Sequence, residues 1–408
     1  MLVAKRSPKP KEPLRSRMKM MDEDFVLCFL KQLVEAYPNP RTPGEIQKTS
    51  PNSIVLQIAD RRKECNERSN RLPMRTMEMP RRSRGPSSRP FAQVFKTLDL
   101  IHEALIDDLP VTKRDMYYND VDLYGSQSTV DRLVDDLAAT WQISRADLSI
   151  RASPKGLICG SGLVIHMRCG GVVELSNGEP ALIPVSEDIE RFEADSALAW
   201  VLIVEKEAVF QTLCSLELGT HNALPGRGLV ITGKGYPDVA TRQLVNMLAA
   251  HLPSQVPILA LVDGDAYGID ILSVYKYGSM CMQHEKEQLA AERVQWLGLW
   301  SSELPALGIL KDALIPITKH DERKAHALLR RANCPARWRK ELQHMLFTRR
   351  KAEIEIISTA RTMDCAADLG QRSKYTREGE PCDSGVPLLR YLVAKISAAC
   401  AEGRRRGS

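Results

Sequence analysis

The stretch KRDMYYND, Lys113 to Asp120, places two adjacent tyrosines behind an arginine, in a segment too polar to be a buried strand. If this segment is helical, Arg114 and Tyr118 lie one turn apart on the same face, and Tyr117 is also close to Arg114. A phenol beside a guanidinium can attack a phosphodiester in line, provided that its proton leaves and the charge that develops is stabilised. The product would be a phosphotyrosyl ester. Taken alone, two adjacent tyrosines are far more often packing or surface residues than nucleophiles.

Carboxylates form a second candidate group. Glu205 directly follows the apolar run WVLIV, and Asp263 and Asp265 follow the run ILALV. Carboxylates that crowd together repel one another unless a pKa rises or a cation binds. An all-oxygen ligand set completed by water and substrate phosphate suits Mg²⁺ better than zinc. The alternative is that the two aspartates are only turn and helix-cap residues.

The elements that must position these carboxylates follow from alternating patterns. Apolar runs at Trp200–Val204, Leu229–Thr232 and Ile258–Val262 alternate with helical patterns at about 206–218, 238–251 and 268–279. Continuously apolar strands separated by helices predict a parallel sheet covered on both faces. Ligands of such sheets bind beyond the carboxyl ends of the strands, so we expect the three carboxylates to meet at one edge.

The elements around the tyrosines are predicted to be short helices. Apolar residues recur at helical spacing from Phe91 to about Leu109, Thr112 is a candidate N-cap, and Ser126, Ser128 or Thr129 could cap a further helix. The apolar face of that further helix comprises Val130, Leu133, Val134, Leu137 and Trp141. Strand-like stretches follow in LSIRASPKGLICGSGLVIH. Three helices and a hairpin are the order of a winged-helix domain, although any small helical domain could share it.

One stretch matches a nucleotide-binding motif only in part. GLVITGK, Gly228 to Lys234, fits G-x-x-x-x-G-K, but Gly235 stands where a nucleotide-binding loop needs Ser or Thr. The strand also lies inside the motif. We therefore expect no ATP site here, while a backbone-rich loop near phosphates stays possible.

The N-terminal residues are predicted to lie outside the folded domains. Residues 1–20 carry seven Lys or Arg against one acid and contain Pro8, Pro10 and Pro13, which predicts a disordered basic arm. The apolar stretch FVLCFLKQLVEAY follows and is a candidate partner-docking helix or an ordinary intramolecular one. The run RRSRGPSSRP is expected to be a linker.

Composition narrows the class without deciding it. The net charge of +6 and pI near 8.7 are compatible with a nucleic-acid partner but do not require one. No apolar run spans a bilayer and no secretory signal is encoded, so we expect a soluble intracellular protein. Ten scattered cysteines without a C-x-x-C pair argue against a zinc ribbon or a disulfide framework and favour reduced core thiols.

Five motifs together resemble a known family. They are RDMYYND, LYGSQS, VEKEAVF, TGKGYPD with Thr241 and Arg242, and DGDAYGIDIL. They are similar to those of the meiotic double-strand-break transesterases of eukaryotes, which are homologous to the A subunit of topoisomerase VI. The similarity runs from about Phe91 to the C-terminal region. Ala266, where archaeal relatives usually have Pro, departs from the pattern without touching a ligand position.

The resemblance implies an α/β (α+β overall) fold in which a winged-helix (CAP-like) domain precedes a Toprim domain with a Rossmann-like parallel sheet. The expected boundaries are 1–90 for the arm, docking helix and linker, 91–185 for the winged helix, 186–400 for the Toprim domain with a helical elaboration, and 401–408 for a basic tail. Within the elaboration, basic residues of Ala336–Ile357 are expected to form a solvated face.

The resemblance also implies site roles and partners. Tyr118 would be the attacking residue, Arg114 would assist it, and Glu205, Asp263 and Asp265 would hold Mg²⁺. The expected function is formation of programmed breaks in double-stranded DNA on meiotic chromosomes in the nucleus, which starts homologous recombination. The expected partners are a second copy of the chain in a homodimer, other meiotic break-forming proteins and a topoisomerase VI B-like subunit. No membrane is expected.

Two other functions stay open at this point. The chain could be a DNA-binding or scaffold protein with an inert acidic cluster, or a Mg²⁺-dependent Toprim nuclease or primase-type enzyme that acts through water without a covalent step. In each case phosphate contacts should dominate DNA affinity, so binding should weaken steeply with salt.

Overall fold

The computed structural model describes residues 2–5, 11–36, 54–61, 72–79, 88–359 and 386–407. The helices are α1 (Lys11–Ala36), α2 (Arg89–Ile106), α3 (Lys113–Asn119), α4 (Val121–Tyr124), α5 (Gln127–Trp141), α6 (Glu207–Ser215), α7 (Val239–His251), α8 (Ala266–Tyr277), α9 (Lys286–Leu289), α10 (Lys319–Leu329), α11 (Ala336–Thr348) and α12 (Val386–Gly407).

The strands are β1 (Leu2–Lys5), β2 (Ile54–Ala59), β3 (Met74–Met79), β4 (Val111–Thr112), β5 (Ile150–Arg151), β6 (Leu157–Gly160), β7 (Leu163–Met167), β8 (Val172–Glu174), β9 (Ala181–Leu182), β10 (Ile189–Ala194), β11 (Leu198–Val204), β12 (Arg227–Thr232), β13 (Ile258–Leu261), β14 (Val294–Gly298), β15 (Ile315–Pro316) and β16 (Arg350–Lys351).

The chain forms two compact units. We call Ser7–Ser153 together with Ser279–Glu287 the tyrosine unit, and Met1–Arg6, Pro154–Gly278 and Gln288–Ser408 the carboxylate unit. The division after Ser153 comes earlier in the chain than the boundary after residue 185 that the sequence predicted.

The carboxylate unit is built on a six-stranded sheet in the order β14-β13-β11-β12-β6-β9. The first four strands are parallel, which confirms the predicted parallel sheet. At one side β6 runs antiparallel to both of its neighbours, β12 and β9. Alternate residues of β11 enter two different cores: Val201 and Ile203 pack on one face, Trp200 and Leu202 on the other. Burial on both faces is why this strand is continuously apolar. The fold is mixed α/β.

The tyrosine unit is built on α2 and α5. Val94, Leu98 and Ile101 of α2 and Val130 and Leu137 of α5 are buried in one core, as their helical spacing predicted.

The helix α3, which carries the tyrosine pair, is added to that core through Met116. Its N-terminus is the predicted cap: the Asp115 backbone N donates to Thr112 Oγ1 at 3.1 Å, and the Thr112 backbone N donates to Asp115 Oδ2 at 3.2 Å. For α5, Ser126 occupies the cap position but its side chain makes no capping hydrogen bond.

The hairpin predicted after the three helices is wrong. β6 pairs with β12 and β9 and β7 pairs with β10 and β8, so both strands belong to the carboxylate unit rather than to a wing of the tyrosine unit. Ile158 and Cys159 of β6 enter opposite cores, and a strand that is apolar on both faces is more stable inside a sheet than in a wing with one wet face. Within the tyrosine unit, β5 instead pairs in parallel with β4.

The N-terminal predictions are also corrected. α1 begins at Lys11 and contains Pro13 in its first turn, where the missing proline N–H costs no intrahelical hydrogen bond. β1 pairs with β10, and β2 pairs with β3 in a region that was expected to be arm and linker. Most of the predicted linker Arg81–Pro90 lies outside the described residues, while Arg89 and Pro90 begin α2.

The candidate docking helix lies within α1 and has two apolar faces. Phe29 packs against Phe91 and Phe95 of α2, with ring centroids 6.0 and 4.4 Å apart, so part of this stretch is intramolecular. Leu27, Leu30 and Val34, at helical spacing, are exposed instead.

The structure bears on two expectations from composition, one for membrane-spanning helices and one for the cysteines. Across the part of the chain that is described, none of the helices combines the length and the apolar character needed to cross a bilayer. Cys159 and Cys214 are joined by a disulfide, so the expectation of reduced thiols is wrong for this pair, and Cys28 and Cys169 are exposed rather than core thiols.

Candidate functional site

Three carboxylates lie at the carboxyl edge of the parallel strands, as the sequence predicted. Glu205 directly follows β11, Asp263 comes shortly after the adjacent strand β13, and Asp265 is the N-cap of α8. All three are buried, with 9%, 7% and 8% of their surface exposed, respectively. The sheet therefore gathers residues that are far apart in the chain.

Backbone amides hold one oxygen of each carboxylate. The Asp263 backbone N donates to Glu205 Oε2 at 2.9 Å, and the Ile354 N donates to Asp263 Oδ1 at 2.9 Å. Tyr267 N and Gly268 N both donate to Asp265 Oδ1 at 2.8 Å. The helix-cap role that was the simpler interpretation of Asp265 is therefore real, but it uses only one of the two carboxylate oxygens.

Gly268 is required by a close backbone approach. A Cβ atom added at this residue would lie 2.3 Å from the Asp263 carbonyl oxygen and 2.9 Å from its nitrogen. The DGDAYGID motif thus contains both the acidic residues and the glycine that lets α8 pack directly against the loop that presents them.

Crowding and burial raise the pKa values of these three carboxyl groups. Burial, reinforced by the Asp263 carboxylate, raises the pKa of Glu205 to about 8. Burial raises the pKa of Asp263 to about 6, although the Lys206 ammonium opposes this shift. Burial also raises the pKa of Asp265. Negative charge at this edge is therefore costly without a cation.

Two lysines supply positive charge at this edge. Lys206 Nζ lies 3.4 Å from Asp263 Oδ2, and Lys351 Nζ lies 3.6 Å from Asp265 Oδ2. Lys351 also contacts the buried Asp321 at 3.0 Å, so it is not part of the solvated basic face expected for its segment. Lys206 stands in the VEKEAVF motif directly after Glu205, but no role was predicted for it. Nothing in the spacing from Lys351 to Asp265 marks those two residues as neighbours.

The donor set matches a hard divalent cation, but the side chains are not closed around one. Carboxylate oxygens are the ligands that Mg²⁺ prefers. Within the described ranges, however, no group of three or more His, Cys, Asp or Glu side chains is arranged to hold a metal ion. Ligation by all three carboxylates would require the second oxygens of Asp263 and Asp265 to turn from the lysines toward the ion.

The predicted nucleophile lies in the other unit. Tyr118 on α3 is 62% exposed, whereas Tyr117 is half-buried against the core, and their ring centroids lie 5.4 Å apart. Tyr118 and Arg114 line one cavity of about 460 Å³. The other residues lining it are Thr112, Lys113, Tyr117, Gln127, Arg145, Ile150, Arg151, Ala152 and Ser153. The cavity thus presents an accessible phenol beside four basic side chains.

A buried ionic network that the sequence did not reveal holds α3 on α5. Asp135 of α5 accepts from Lys113 Nζ and, at 2.7 Å, from Arg145 Nε. The adjacent Asp136 accepts from Arg61 Nε at 2.7 Å. Burial and the nearby Arg145 lower the pKa of Lys113. The signal that could have found this network is the acidic pair Asp135 and Asp136, which lies between the core residues Val134 and Leu137.

Two family models match this chain, each mainly within a different unit. A family model described as "Type IIB DNA topoisomerase" matches residues 89–150. A second family model, which describes the Toprim domain shared by Spo11 and the A subunit of topoisomerase 6, matches residues 200–368. The first match contains the tyrosine pair and the second contains all three carboxylates.

Curated proteins match over most of the chain. The Homo sapiens protein "Meiotic recombination protein SPO11" is 37% identical over 282 residues, which cover 67% of this chain and 68% of that protein. "Meiotic recombination protein rec12" of Schizosaccharomyces pombe is 34% identical, with 82% of this chain and 89% of that protein covered. The A subunit of DNA topoisomerase 6 from Arabidopsis thaliana is 32% identical, with 66% and 64% covered.

Proposed function

Because the chain belongs to the family of Spo11 proteins and topoisomerase 6 A subunits, we propose that it makes programmed double-strand breaks in meiotic DNA by a topoisomerase-like transesterification. The breaks would start homologous recombination on chromosomes in the nucleus. The observation that supports this reaction most directly is the exposed Tyr118 in a basic cavity, in a chain whose other unit gathers three buried carboxylates.

In the proposed reaction, the Tyr118 hydroxyl oxygen attacks a backbone phosphorus. A bond forms between that oxygen and phosphorus, the phosphorus–O3′ bond breaks, and the strand keeps its 5′ phosphate as a tyrosyl ester. The phenol proton passes to water in the open cavity, and the departing 3′ oxygen takes up a proton. Because the ester conserves the bond energy of the phosphodiester, no external energy source is needed.

Arg114 is the residue we propose to assist this attack. It is exposed and lines the cavity one turn before Tyr118, so its guanidinium can bind a nonbridging phosphate oxygen in the transition state. Lys113 and Arg145 line the same wall but share the Asp135 carboxylate, which offsets part of their charge. With Arg114 and Arg151 in the same lining, the cavity still favours a phosphate ligand over a neutral one.

Glu205, Asp263 and Asp265 are the residues that would hold Mg²⁺. When bound, the ion supplies charge stabilisation at the phosphate and the leaving oxygen. The carboxylates present that ion from a rigid sheet edge, since main-chain amides fix one oxygen of each.

The proposed architecture follows the family. We propose a winged-helix domain at 91–185 on the helices α2, α3 and α5 alone, since β6 and β7 belong to the carboxylate unit. We assign the parallel sheet to a Toprim domain within 186–400. We further propose a homodimer in the cleaving state, in which each chain cuts one strand. The exposed residues Leu27, Leu30 and Val34 of α1 are candidates for part of a surface that docks a topoisomerase VI B-like subunit.

The competing function is a Toprim nuclease that uses water, or a scaffold that binds DNA without cutting it. Neither requires an accessible tyrosine next to an arginine, whereas the transesterification does. The covalent product therefore separates the proposal from both.

The test uses the full-length chain in meiotic cells that lack their own break-forming protein. Cells are lysed in strong denaturant, the chain is immunoprecipitated, and DNA that stays attached is end-labelled. We expect attached DNA with the unaltered chain and with Tyr117→Phe, and none with Tyr118→Phe or Asp263→Asn. Attached DNA with Tyr118→Phe, or breaks without attached protein, would overturn the proposal.

A further inference from the structure

We propose that Lys206 is a built-in counter-cation of the carboxylate edge, which a divalent metal ion displaces onto Glu353 and Glu355. This inference rests on the proposed metal-binding function of the edge and deepens it. It assigns to three residues outside the carboxylate set a role in controlling when the ion binds.

Lys206 lies at the end of β11, beside the carboxylates. It follows Glu205 directly and is the N-cap residue of α6, so its backbone is fixed at the end of β11. Its side chain is 24% exposed, and its ammonium lies 3.4 Å from Asp263 Oδ2. That oxygen is the one that backbone amides leave for a metal, because Ile354 N already occupies Oδ1.

Lys206 has two further carboxylate partners besides Asp263. Its ammonium also lies 3.0 Å from Glu353 Oε2 and 2.8 Å from Glu355 Oε2. Both glutamates are about half exposed, at 50% and 49%, so they can keep the ammonium without burying a charge. The ammonium is therefore shared between one buried acceptor and two exposed ones.

Lys351, the other lysine near the carboxylates, is held more firmly than Lys206. That lysine contacts Asp265 at 3.6 Å but is held at 3.0 Å by Asp321, which is 1% exposed and completes the capping box of α10 with Thr318. Moving it away would leave a buried carboxylate unpaired, which is costly. Of the two lysines, Lys206 is the one that can yield its place cheaply.

These contacts explain why the carboxylates are not closed around a metal position. With a lysine on the second oxygen of Asp263, the edge is partly neutralised and its acids do not need to converge. A divalent ion would replace that charge, free the oxygen, and leave Lys206 with Glu353 and Glu355. The exchange ties metal affinity to residues that are not ligands.

The test measures metal affinity rather than cleavage. Binding of Mn²⁺, used as the probe ion, is titrated by the electron paramagnetic resonance signal of free Mn²⁺, and Mg²⁺ is then added as a competitor. We expect Lys206→Met to tighten binding roughly tenfold, because a competing positive charge next to a divalent ion has been removed. Lys206→Gln removes the same charge and should tighten binding similarly, so it replaces Lys206→Met if that variant folds poorly.

The matched control is Lys234→Met. Lys234 lies on the loop after β12 and pairs with Glu207 at 2.9 Å, so it resembles Lys206 in charge but contacts none of the three carboxylates. It should leave Mn²⁺ affinity within about twofold of the unaltered chain.

A double-mutant cycle tests the receiving glutamates. Glu353→Gln with Glu355→Gln should weaken Mn²⁺ binding, because Lys206 then stays on Asp263. In the Lys206→Met background the same pair of changes should have a distinctly smaller effect. Equal effects in both backgrounds would overturn the exchange.

The remaining outcomes separate the two proposals. If Lys206→Met leaves Mn²⁺ affinity unchanged or lowers it, while Asp263→Asn abolishes binding, the counter-cation role is wrong and the metal site stands. If Asp263→Asn binds Mn²⁺ as tightly as the unaltered chain, the metal site fails, and the proposed function and this inference fail together.

Discussion

The carboxylates at the sheet edge and the tyrosine in the basic cavity have opposite surroundings. Glu205, Asp263 and Asp265 are buried, hydrogen-bonded by main-chain amides and raised in pKa, whereas Tyr118 is 62% exposed and Arg114 lies on the surface. A cation site gains from a rigid sheet edge with a low dielectric, because each charge interaction is stronger there. A nucleophile for a polymer as large as DNA must instead protrude. The two regions should therefore respond differently to substitution.

The largest expected effect is at the carboxylate edge, with Gly268→Ala. The added methyl would overlap the Asp263 main chain, and overpacking against backbone destabilises by roughly 1–3 kcal/mol or more. Chemical denaturation should show this loss, and Mn²⁺ binding should weaken as Asp263 moves. Gly178→Ala is the control, since a Cβ there meets nothing within 4 Å and it should be neutral. A fully stable Gly268→Ala would contradict the close approach.

Next in size is the effect of Asp263→Asn on metal binding. Losing a charged ligand should weaken Mn²⁺ binding by roughly a hundredfold. That is the upper end of the loss in affinity seen when a residue that only hydrogen-bonds to a ligand is replaced. The metal-free chain should be no less stable, because a buried carboxylate with a raised pKa has been replaced by a neutral amide. Strong destabilisation without metal would mean that Asp263 serves the fold instead.

The pH dependence of metal binding and of stability should both reflect the carboxylates at the sheet edge. Metal must displace protons from Glu205 and Asp263, whose pKa values are raised to about 8 and about 6, so affinity should rise from pH 6 to 8, by up to about tenfold per unit for each proton released. The stability of the metal-free chain should depend on pH in the opposite direction. The folded state binds these protons more tightly than the unfolded chain, so stability is greatest below the unfolded pKa and falls as pH rises toward 8. Calorimetric titration and thermal unfolding across this range measure both, and a flat affinity would contradict the burial argument.

A smaller effect is expected at the helix that carries the nucleophile. Thr112→Ala removes the cap of α3 and should cost about 1 kcal/mol, while Thr112→Ser should restore most of it. Urea denaturation measures the difference. Equal stability of all three proteins would show that the ionic pair of Lys113 with Asp135 is enough to hold the helix.

The smallest effect on stability should come from the residue on which the chemistry depends. Tyr118→Phe removes one exposed hydroxyl and should change the free energy of unfolding by less than about 0.5 kcal/mol. Tyr117→Phe, in the half-buried neighbour, is the comparison. A large destabilisation by Tyr118→Phe would mean that its loss of activity could not be assigned to chemistry.

The fold was predictable where the pattern was strong. The buried strands β11, β12 and β13, the helices between them and the cap at Thr112 all followed from spacing, because burial on both faces and helical periodicity leave clear marks on sequence. In the N-terminal region, only the helix in the stretch FVLCFLKQLVEAY followed, as part of α1. The proline and charge content of the other segments predicted an arm and linker, but α1 begins already at Lys11, and α1 and the alternating strand β2 pack against α2 and α5.

Sequence alone determined which residue types are available for chemistry and in which motifs they stand: the tyrosine pair behind Arg114, and the acids after two apolar strands. Only the tertiary structure decided that Ile158 and Cys159 belong to the sheet and not to a wing, and that Lys206 and Lys351 face the carboxylates. The reason is that local patterns report the burial of each residue along its own element. Partners that come from distant segments are chosen by the packing of whole elements, which no local spacing encodes.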